Sequence, residues 1–122
     1  MNKYKVLVVD DDTRICGILQ EFLFKKGFNA KGAHGGVEAI ELLKNEEFDL
    51  MLCDYVMPGV TGYDVARFLF ELEKRPKLGI ITGWGELIRN KEKEEMNVDF
   101  LIKKPFDFSE LESFINCALN IT

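Results

Sequence analysis

The sequence predicts an α/β fold in which a parallel sheet of five strands carries helices on both faces. Short apolar runs alternate with segments of helical spacing, and this alternation occurs five times along the 122 residues. Short connections between these segments favour right-handed crossovers, which make neighbouring strands parallel. The 47% hydrophobic content is enough for one core, so we expect residues 1–122 to form a single domain.

The first unit predicts a strand near residues 5–9 and a helix after it. Asp12 or Thr13 is the expected N-cap of the helix, and Gly27 is expected to stop it. The expected core stripe of this helix consists of five apolar residues at helical spacing: Ile15, Ile18, Leu19, Phe22 and Leu23.

The second and third units differ in the polarity of their strands. The second strand, near residues 28–33, is weak and polar at its ends, so we expect it at an edge of the sheet. The third, near residues 50–53, is continuously apolar, which suits a strand covered by helices on both faces. The helices that follow are patterned by Val37, Ile40 and Leu43, and by Val65, Phe68, Leu69 and Leu72. Pro76 prevents the third helix from continuing.

The fourth and fifth units complete the alternation with strands near residues 78–81 and 100–103. Leu87, Ile88 and Met96 bracket the charged run RNKEKEE, so we expect an exposed and loosely held fourth helix. The fifth helix has an apolar face that consists of Leu111, Phe114, Ile115, Ala118 and Leu119. Two capping frames are open for its start: Ser109 with Glu112, and Asp107 with Glu110.

Polar residues of complementary kinds follow four of the apolar runs. The run VLVV ends on Asp10 and Asp11, LMLC on Asp54, GII on Thr82, and FLI on Lys103 and Lys104. Ligands of open α/β sheets bind outside the carboxyl ends of the strands, so we expect these side chains to converge on one site. Three carboxylates, a hydroxyl and an ammonium group are suited to Mg²⁺ and phosphate.

The two adjacent carboxylates Asp10 and Asp11 repel each other unless a cation or a proton relieves them. Mg²⁺ takes oxygen ligands and is commonly held by one or two carboxylates with phosphate oxygens. The alternative for the run DDDT is a solvated loop and helix cap, and a lone Asp54 after a strand is often a turn residue. A strand order that places the third strand beside the first would bring Asp54 next to the acidic pair.

Taken together, VLVVDDD, LCDYVMPGVTG, IITG and LIKKPFDFSEL, in this order and spacing, resemble the receiver domain of two-component response regulators. The resemblance covers essentially the whole chain. It implies a flavodoxin-like, doubly wound fold in which five parallel strands in the order 2-1-3-4-5 are flanked by five helices.

The resemblance also implies the chemistry of the site. Asp54 would be the nucleophile that accepts a phosphoryl group from a phosphohistidine of a sensor histidine kinase or phosphotransfer protein. Mg²⁺ would be held directly by Asp11 and Asp54, mainly through water by Asp10, and by the backbone carbonyl of Val56. Thr82 and Lys104 would hold phosphate oxygens. The protein would be a phosphoacceptor that catalyses its own phosphoryl transfer and dephosphorylation, not a stand-alone enzyme.

Phosphorylation would alter the surface near the fourth helix and the fifth strand and so control a downstream protein. The sequence leaves undecided whether phosphorylation also drives a homodimer through the fourth helix, fifth strand and fifth helix. Many members of the family carry Tyr or Phe where this chain has Leu101, and neighbouring residues of a strand point to opposite faces. Phe100 therefore cannot replace that aromatic switch. The apolar Val56 and Trp84 correspond to family positions that control water access, which predicts slow self-hydrolysis.

Composition excludes several other classes of function. A net charge of -5 and a pI of about 4.9 disfavour nucleic-acid binding. The sequence has no apolar run long enough to span a membrane and no signal peptide, so we expect a cytoplasmic protein without membrane association. Cys16, Cys53 and Cys117 are interpreted as reduced core residues, and His34 as an exposed loop residue.

Two rival functions use the same residues differently. One is a receiver-like scaffold that binds partners without being phosphorylated. The other is a Mg²⁺-dependent phosphatase similar to the haloacid dehalogenases, whose motif requires D-x-D-x-T or D-x-D-x-V. Here Asp10 and Asp12 are followed by Arg14, which departs from that motif.

Overall fold

Five parallel strands with helices on both faces form the computed structural model, which describes residues 4–83 and 88–121. The strand order is β2-β1-β3-β4-β5, which confirms the predicted α/β fold and the edge position of the second strand. The strands are β1 Lys5–Val9, β2 Asn29–Ala33, β3 Leu50–Asp54, β4 Lys77–Thr82 and β5 Phe100–Lys103. The helices are α1 Thr13–Lys25, α2 Gly36–Asn45, α3 Gly62–Phe68, α4 Asn90–Met96 and α5 Phe108–Ala118, and a 3₁₀ turn at Leu69–Glu71 follows α3.

The sheet separates two apolar cores. On one face, α1 and α5 pack against β1, β3 and β5 through residues such as Leu19, Leu23 and Ile115. On the other face, α2, α3 and α4 pack through Leu43, Val65 and Met96. All five residues of β3 are buried because this central strand is covered on both faces.

Two predicted core positions on the helices are wrong. Ile18 of α1 is 53% exposed and Val37 of α2 is 66% exposed. Helix α2 instead packs on the core through Ala39 and Leu43, and Gly36 is buried against Val60 of the loop before α3. The sequence pattern predicted Val37 as a core residue, but this side chain points away from the core.

Helix caps resolve the open choices at two helix starts. The Asp12 side chain accepts hydrogen bonds from the backbone N–H groups of Arg14 and Ile15, so it is the N-cap of α1. Asp107 caps α5 by accepting from the N–H of Glu110, and the Ser109 hydroxyl donates to the same carboxylate. These two donors lower the pKa of Asp107.

Strand β5 places its two apolar neighbours on opposite sides of the sheet, as predicted. Phe100 is buried and stacks on Phe114 of α5, with ring centroids 5.2 Å apart. Leu101 is partly buried and packs against the core under α2, α3 and α4. The aromatic ring therefore belongs to the opposite core from Leu101, the position at which the family resemblance implies an aromatic switch residue.

Three further expectations concern single residues and membranes. Cys16 and Cys53 are buried free thiols, whereas Cys117 is exposed, so its interpretation as a core residue is wrong. His34 is exposed between β2 and α2, as predicted. Within the described ranges, none of the helices has both the length and the apolar character to traverse a bilayer.

Candidate functional site

Backbone hydrogen bonds continue one residue beyond the strands and hold the polar residues at the carboxyl edge of the sheet. The Asp10 N–H donates to the carbonyl of Ala33, at 3.1 Å. The Tyr55 N–H donates to Ile81, at 2.9 Å, and the Lys104 N–H donates to Thr82, at 2.7 Å. Because Val9 pairs with Cys53 in the ladder between β1 and β3, Asp10 and Asp54 leave the sheet side by side.

Four of the predicted site residues meet at this edge. The Lys104 Nζ atom lies 3.6 Å from Asp10 Oδ2 and 3.8 Å from Asp54 Oδ2. Carboxylate oxygens of Asp10, Asp11 and Asp54 all lie within 4.8 Å of one another. The sheet thus brings three acids and one lysine from three different strand ends into one cluster.

The cluster differs in exposure from one member to the next. Asp10 and Asp54 are 1% and 7% exposed, and Thr82 is 2% exposed, whereas Asp11 is open to solvent. Val56 lies in the loop after β3 with its side chain 54% exposed. The site is therefore a pocket with buried walls and an open acidic rim. Trp84, which we expect to shield it, lies outside the described residues.

Two buried polar atoms of the pocket lack a hydrogen-bond partner among residues 4–83 and 88–121. They are Asp10 Oδ2 and the Thr82 hydroxyl oxygen Oγ1. A buried polar atom without a partner costs free energy, and such atoms commonly mark a place where an ion or a ligand binds. The donor set of three carboxylates fits Mg²⁺, and the hydroxyl and ammonium groups fit phosphate oxygens.

Cys53 lies beside the predicted nucleophile but does not share its chemistry. The thiol is fully buried, and its pKa is raised by burial first and then by the negative charges of Asp54 and Asp10. A thiolate is the nucleophilic form of cysteine, so this residue stays inert near neutral pH. Among these neighbours in β3, a carboxylate and not a thiolate is the available nucleophile.

The start of α3 touches the backbone of the predicted nucleophile, a contact that the sequence analysis did not identify. Thr61 and Asp64 form a capping box, which the spacing T-x-x-D in the sequence signals. Gly62 follows, and its N–H donates to the Tyr55 carbonyl at 3.1 Å. A Cβ atom on Gly62 would lie 2.4 Å from the carbonyl oxygen of Asp54, so only glycine allows this approach.

Two tyrosines near the site reach α4, and the sequence analysis also missed this connection. The Tyr55 hydroxyl donates to Glu92, and the Tyr63 hydroxyl donates to Glu95. The hydrogen bond to Glu95 is the main reason that the pKa of Tyr63 is raised. These partners are more than 30 residues apart in the chain, and no short-range motif predicts them.

Comparison with known proteins identifies the family. The family model of the response regulator receiver domain matches residues 6–116. The chain belongs to the response regulator receiver domain family. This receiver domain is also 38% identical over 114 residues to the protein PetR of Rhodobacter capsulatus, covering 93% of this chain and 48% of PetR. It therefore spans about half the length of that relative.

Two further relatives are covered over nearly their full length. The receiver domain is 30% identical to the sporulation initiation phosphotransferase F of Bacillus subtilis, covering 94% of this chain and 93% of that protein. It is 28% identical to the response regulator TrrA of Thermotoga maritima, solved in complex with Mg²⁺-BeF, with a TM-score of 0.85. That match covers 95% of this chain and 99% of TrrA.

Membership of the family establishes the general type of function. Receiver domains are signalling switches of two-component systems and not classical enzymes, which disfavours the phosphatase alternative. They bind Mg²⁺ at an acidic pocket, and the cluster of Asp10, Asp11 and Asp54 fits such a pocket. They interact with histidine kinases or phosphotransfer proteins and with downstream effectors.

Proposed function

We propose that this receiver domain is a phosphorylation-activated switch whose phosphoacceptor is Asp54. The observation that carries the proposal is the position of Lys104 between Asp10 and Asp54 at the carboxyl edge of the sheet. A buried carboxylate beside an ammonium group, with an acidic rim open to solvent, suits a nucleophile that must meet a phosphate from outside. The name of the B. subtilis relative, a phosphotransferase, agrees with this type of chemistry.

The acidic cluster is the proposed Mg²⁺ site. Asp11 and Asp54 would bind the ion directly, Asp10 mainly through water, and Val56 through its backbone carbonyl. When bound, Mg²⁺ supplies positive charge that offsets the charge developing on the phosphoryl oxygens. The mutual proximity of the three carboxylates supports this assignment, and so does Asp10 Oδ2, which has Lys104 as an ion-pair partner but accepts no hydrogen bond in the described part of the chain.

The proposed reaction is a displacement at phosphorus. A carboxylate oxygen of Asp54 attacks the phosphorus of a partner's phosphohistidine, the new O–P bond forms, and the P–N bond breaks. The imidazole leaves with the electron pair of that bond. Lys104 donates to a phosphoryl oxygen as a fixed positive charge, and the Thr82 hydroxyl, which is buried without a protein partner in the described residues, donates to another.

The phosphorylated domain would act on other proteins through the surface near α4 and β5. The acyl phosphate adds negative charge at residue 54, and this charge is the signal. We propose a downstream protein target for that surface, with a phosphorylation-dependent homodimer through α4, β5 and α5 as a second mode of output. A sensor histidine kinase or phosphotransfer protein is the proposed donor.

A small acyl phosphate and Mg²⁺ test the proposed function directly. We expect the intact mass of the protein to increase by one phosphoryl group on incubation with acetyl phosphate and Mg²⁺, and the increase to be absent without Mg²⁺. Asp54→Ala should abolish it, whereas Asp64→Ala, which removes an exposed aspartate of the α3 cap, should retain it. A wild-type protein that stays unmodified while it binds its partners would support the scaffold alternative instead.

The exposed apolar side chain of Val56 gives a prediction about the lifetime of the signal. We expect Val56→Asn to accelerate the loss of the phosphoryl group several-fold, because an amide at the rim of the pocket can orient an attacking water. The measurement is the decay of phosphorylated protein after removal of the donor. Val37→Asn, which changes another exposed valine, on α2, is the matched control and should decay like the wild type. An unchanged rate in Val56→Asn would contradict the proposed shielding.

A further inference from the structure

The two ends of helix α4 are attached to the domain in different ways. At its C-terminal end, Met96 is fully buried, and Arg75 Nη2 donates to the carbonyl oxygens of Met96 at 2.8 Å and Asn97 at 3.2 Å. Arg67 donates to the carbonyl of Glu95 at 3.4 Å. Buried apolar surface and hydrogen bonds from Arg67 of α3 and from Arg75 before β4 therefore fix this end.

The first turn of α4 has a different attachment. Arg89, at the N-cap position, makes no side-chain cap hydrogen bond with the described part of the chain. Glu92 accepts a hydrogen bond from the hydroxyl of Tyr55, the residue that follows the phosphoacceptor. A cavity of about 320 Å³ lies beside this pair, with Val56 and Met57 also in its lining. The hydrogen bond thus connects the first turn of α4 to the loop after β3, at the edge of this cavity.

The backbone of Tyr55 is fixed on both sides. Its N–H donates to Ile81 of β4, and its carbonyl accepts from the N–H of Gly62. The Tyr55 side chain extends from this fixed backbone to α4. A change in charge at residue 54 therefore acts on the hydrogen bond of the side-chain hydroxyl and not on the position of the backbone. The acceptor of that hydroxyl is itself a carboxylate, which an added negative charge nearby disfavours.

We propose that the Tyr55–Glu92 hydrogen bond is a latch that holds the first turn of α4 while Asp54 is unphosphorylated and opens when Asp54 is phosphorylated. The latch rests on the proposed function. It gives this chain an aromatic connection between the phosphorylation site and the output surface, although Leu101 occupies the position of the usual aromatic switch. The hydrogen bond from Tyr63 to Glu95, one turn further along and beside the fixed end, is a static attachment.

Thermodynamic linkage makes the latch measurable. A contact that exists only in the unphosphorylated state opposes every ligand that favours the phosphorylated state, so its removal strengthens binding of that ligand. Beryllofluoride with Mg²⁺ is a suitable probe because it imitates an acyl phosphate on a carboxylate. We expect Tyr55→Phe, which deletes one hydroxyl, to bind beryllofluoride about fivefold more tightly than the wild type at saturating Mg²⁺.

The matched control is Tyr63→Phe, which deletes the same atom from the static attachment. Its affinity for beryllofluoride should stay within twofold of the wild-type value. Glu92→Ala, which removes the acceptor, should reproduce the effect of Tyr55→Phe, and the double variant should bind no more tightly than either single variant, because the two changes remove one interaction. Amide hydrogen exchange should accelerate at the start of α4 in Tyr55→Phe and stay unchanged at its C-terminal end.

The outcomes separate the latch from the proposed function. If the wild type binds beryllofluoride and Asp54→Ala does not, the phosphorylation site is supported. The latch is then overturned if Tyr55→Phe binds with unchanged or weaker affinity, or if Tyr63→Phe gains as much as Tyr55→Phe. If the wild type fails to bind beryllofluoride at all, the proposed function fails, and the latch fails with it.

Discussion

Lys104→Met is expected to slow the phosphorylation of Asp54 by a factor of about 100 or more, because removal of one fixed donor to a developing charge typically costs that much in rate. In the folded protein, Lys104 Nζ lies 3.8 Å from Asp54 Oδ2, close enough to contact a phosphoryl oxygen attached there. The measurement is the initial rate of mass gain with acetyl phosphate at saturating Mg²⁺. Methionine retains most of the length of the side chain, so the change is mainly in charge.

The neighbouring lysine provides the matched control. Lys103 is exposed, and because adjacent strand residues alternate between faces, its side chain does not share the direction of Lys104. Lys103→Met should therefore react within about threefold of the wild-type rate, and a similar loss in both variants would contradict a specific role for Lys104. A second readout separates chemistry from folding. Lys104→Met should bind Mg²⁺ more tightly than the wild type, because Asp10 and Asp54 lose their positive neighbour.

Gly62→Ala is expected to destabilise the domain by about 3 kcal/mol, a cost at the upper end of that for an added methyl group in a fully packed site. Its Cβ would lie 2.4 Å from the Asp54 carbonyl oxygen and 2.8 Å from the Tyr55 Cα atom. Both contacts are with backbone, so no side-chain rotation relieves them. Either the end of β3, which carries the phosphoacceptor, or the start of α3 must therefore move. Urea denaturation measures the loss.

Gly17→Ala is the opposite case and serves as the control. Gly17 lies on the exposed side of α1, and an added Cβ would meet nothing within 4 Å. Alanine restricts the unfolded chain and favours helix, so this variant should gain about 0.5–1 kcal/mol in unfolding free energy. A loss of less than about 1 kcal/mol in Gly62→Ala would show that the contact between the start of α3 and the backbone of Asp54 and Tyr55 relaxes easily.

The sequence predicts the convergence at the sheet edge because it depends on one simple rule. Parallel strands end at the same side of a sheet, so polar residues after apolar runs must come together there. The cluster of Asp10, Asp54 and Lys104 follows from this rule and from the strand order. The alternation of strands and helices is equally predictable, because apolar residues repeat about every 2 residues in strands and every 3.6 residues in helices.

The features that the sequence analysis missed depend on side-chain directions and close approaches in three dimensions. The exposure of Val37 depends on which face of α2 is buried, and that face consists of Ala39 and Leu43 in the core and of Gly36 against Val60. The contact of Gly62 with Asp54 and the hydrogen bond from Tyr55 to Glu92 depend on how α3 and α4 are placed relative to the loop after β3. Composition and periodicity contain no information on such distances.

The placement of the two apolar residues at the start of β5 has a practical consequence for protein engineering. The ring of Phe100 is committed to structural support, since it stacks on Phe114 on the side of the sheet covered by α1 and α5. Leu101 faces the other way and is only partly covered. The two residues therefore pack independently of each other, and Leu101 can be redesigned without rebuilding the stack of Phe100 on Phe114.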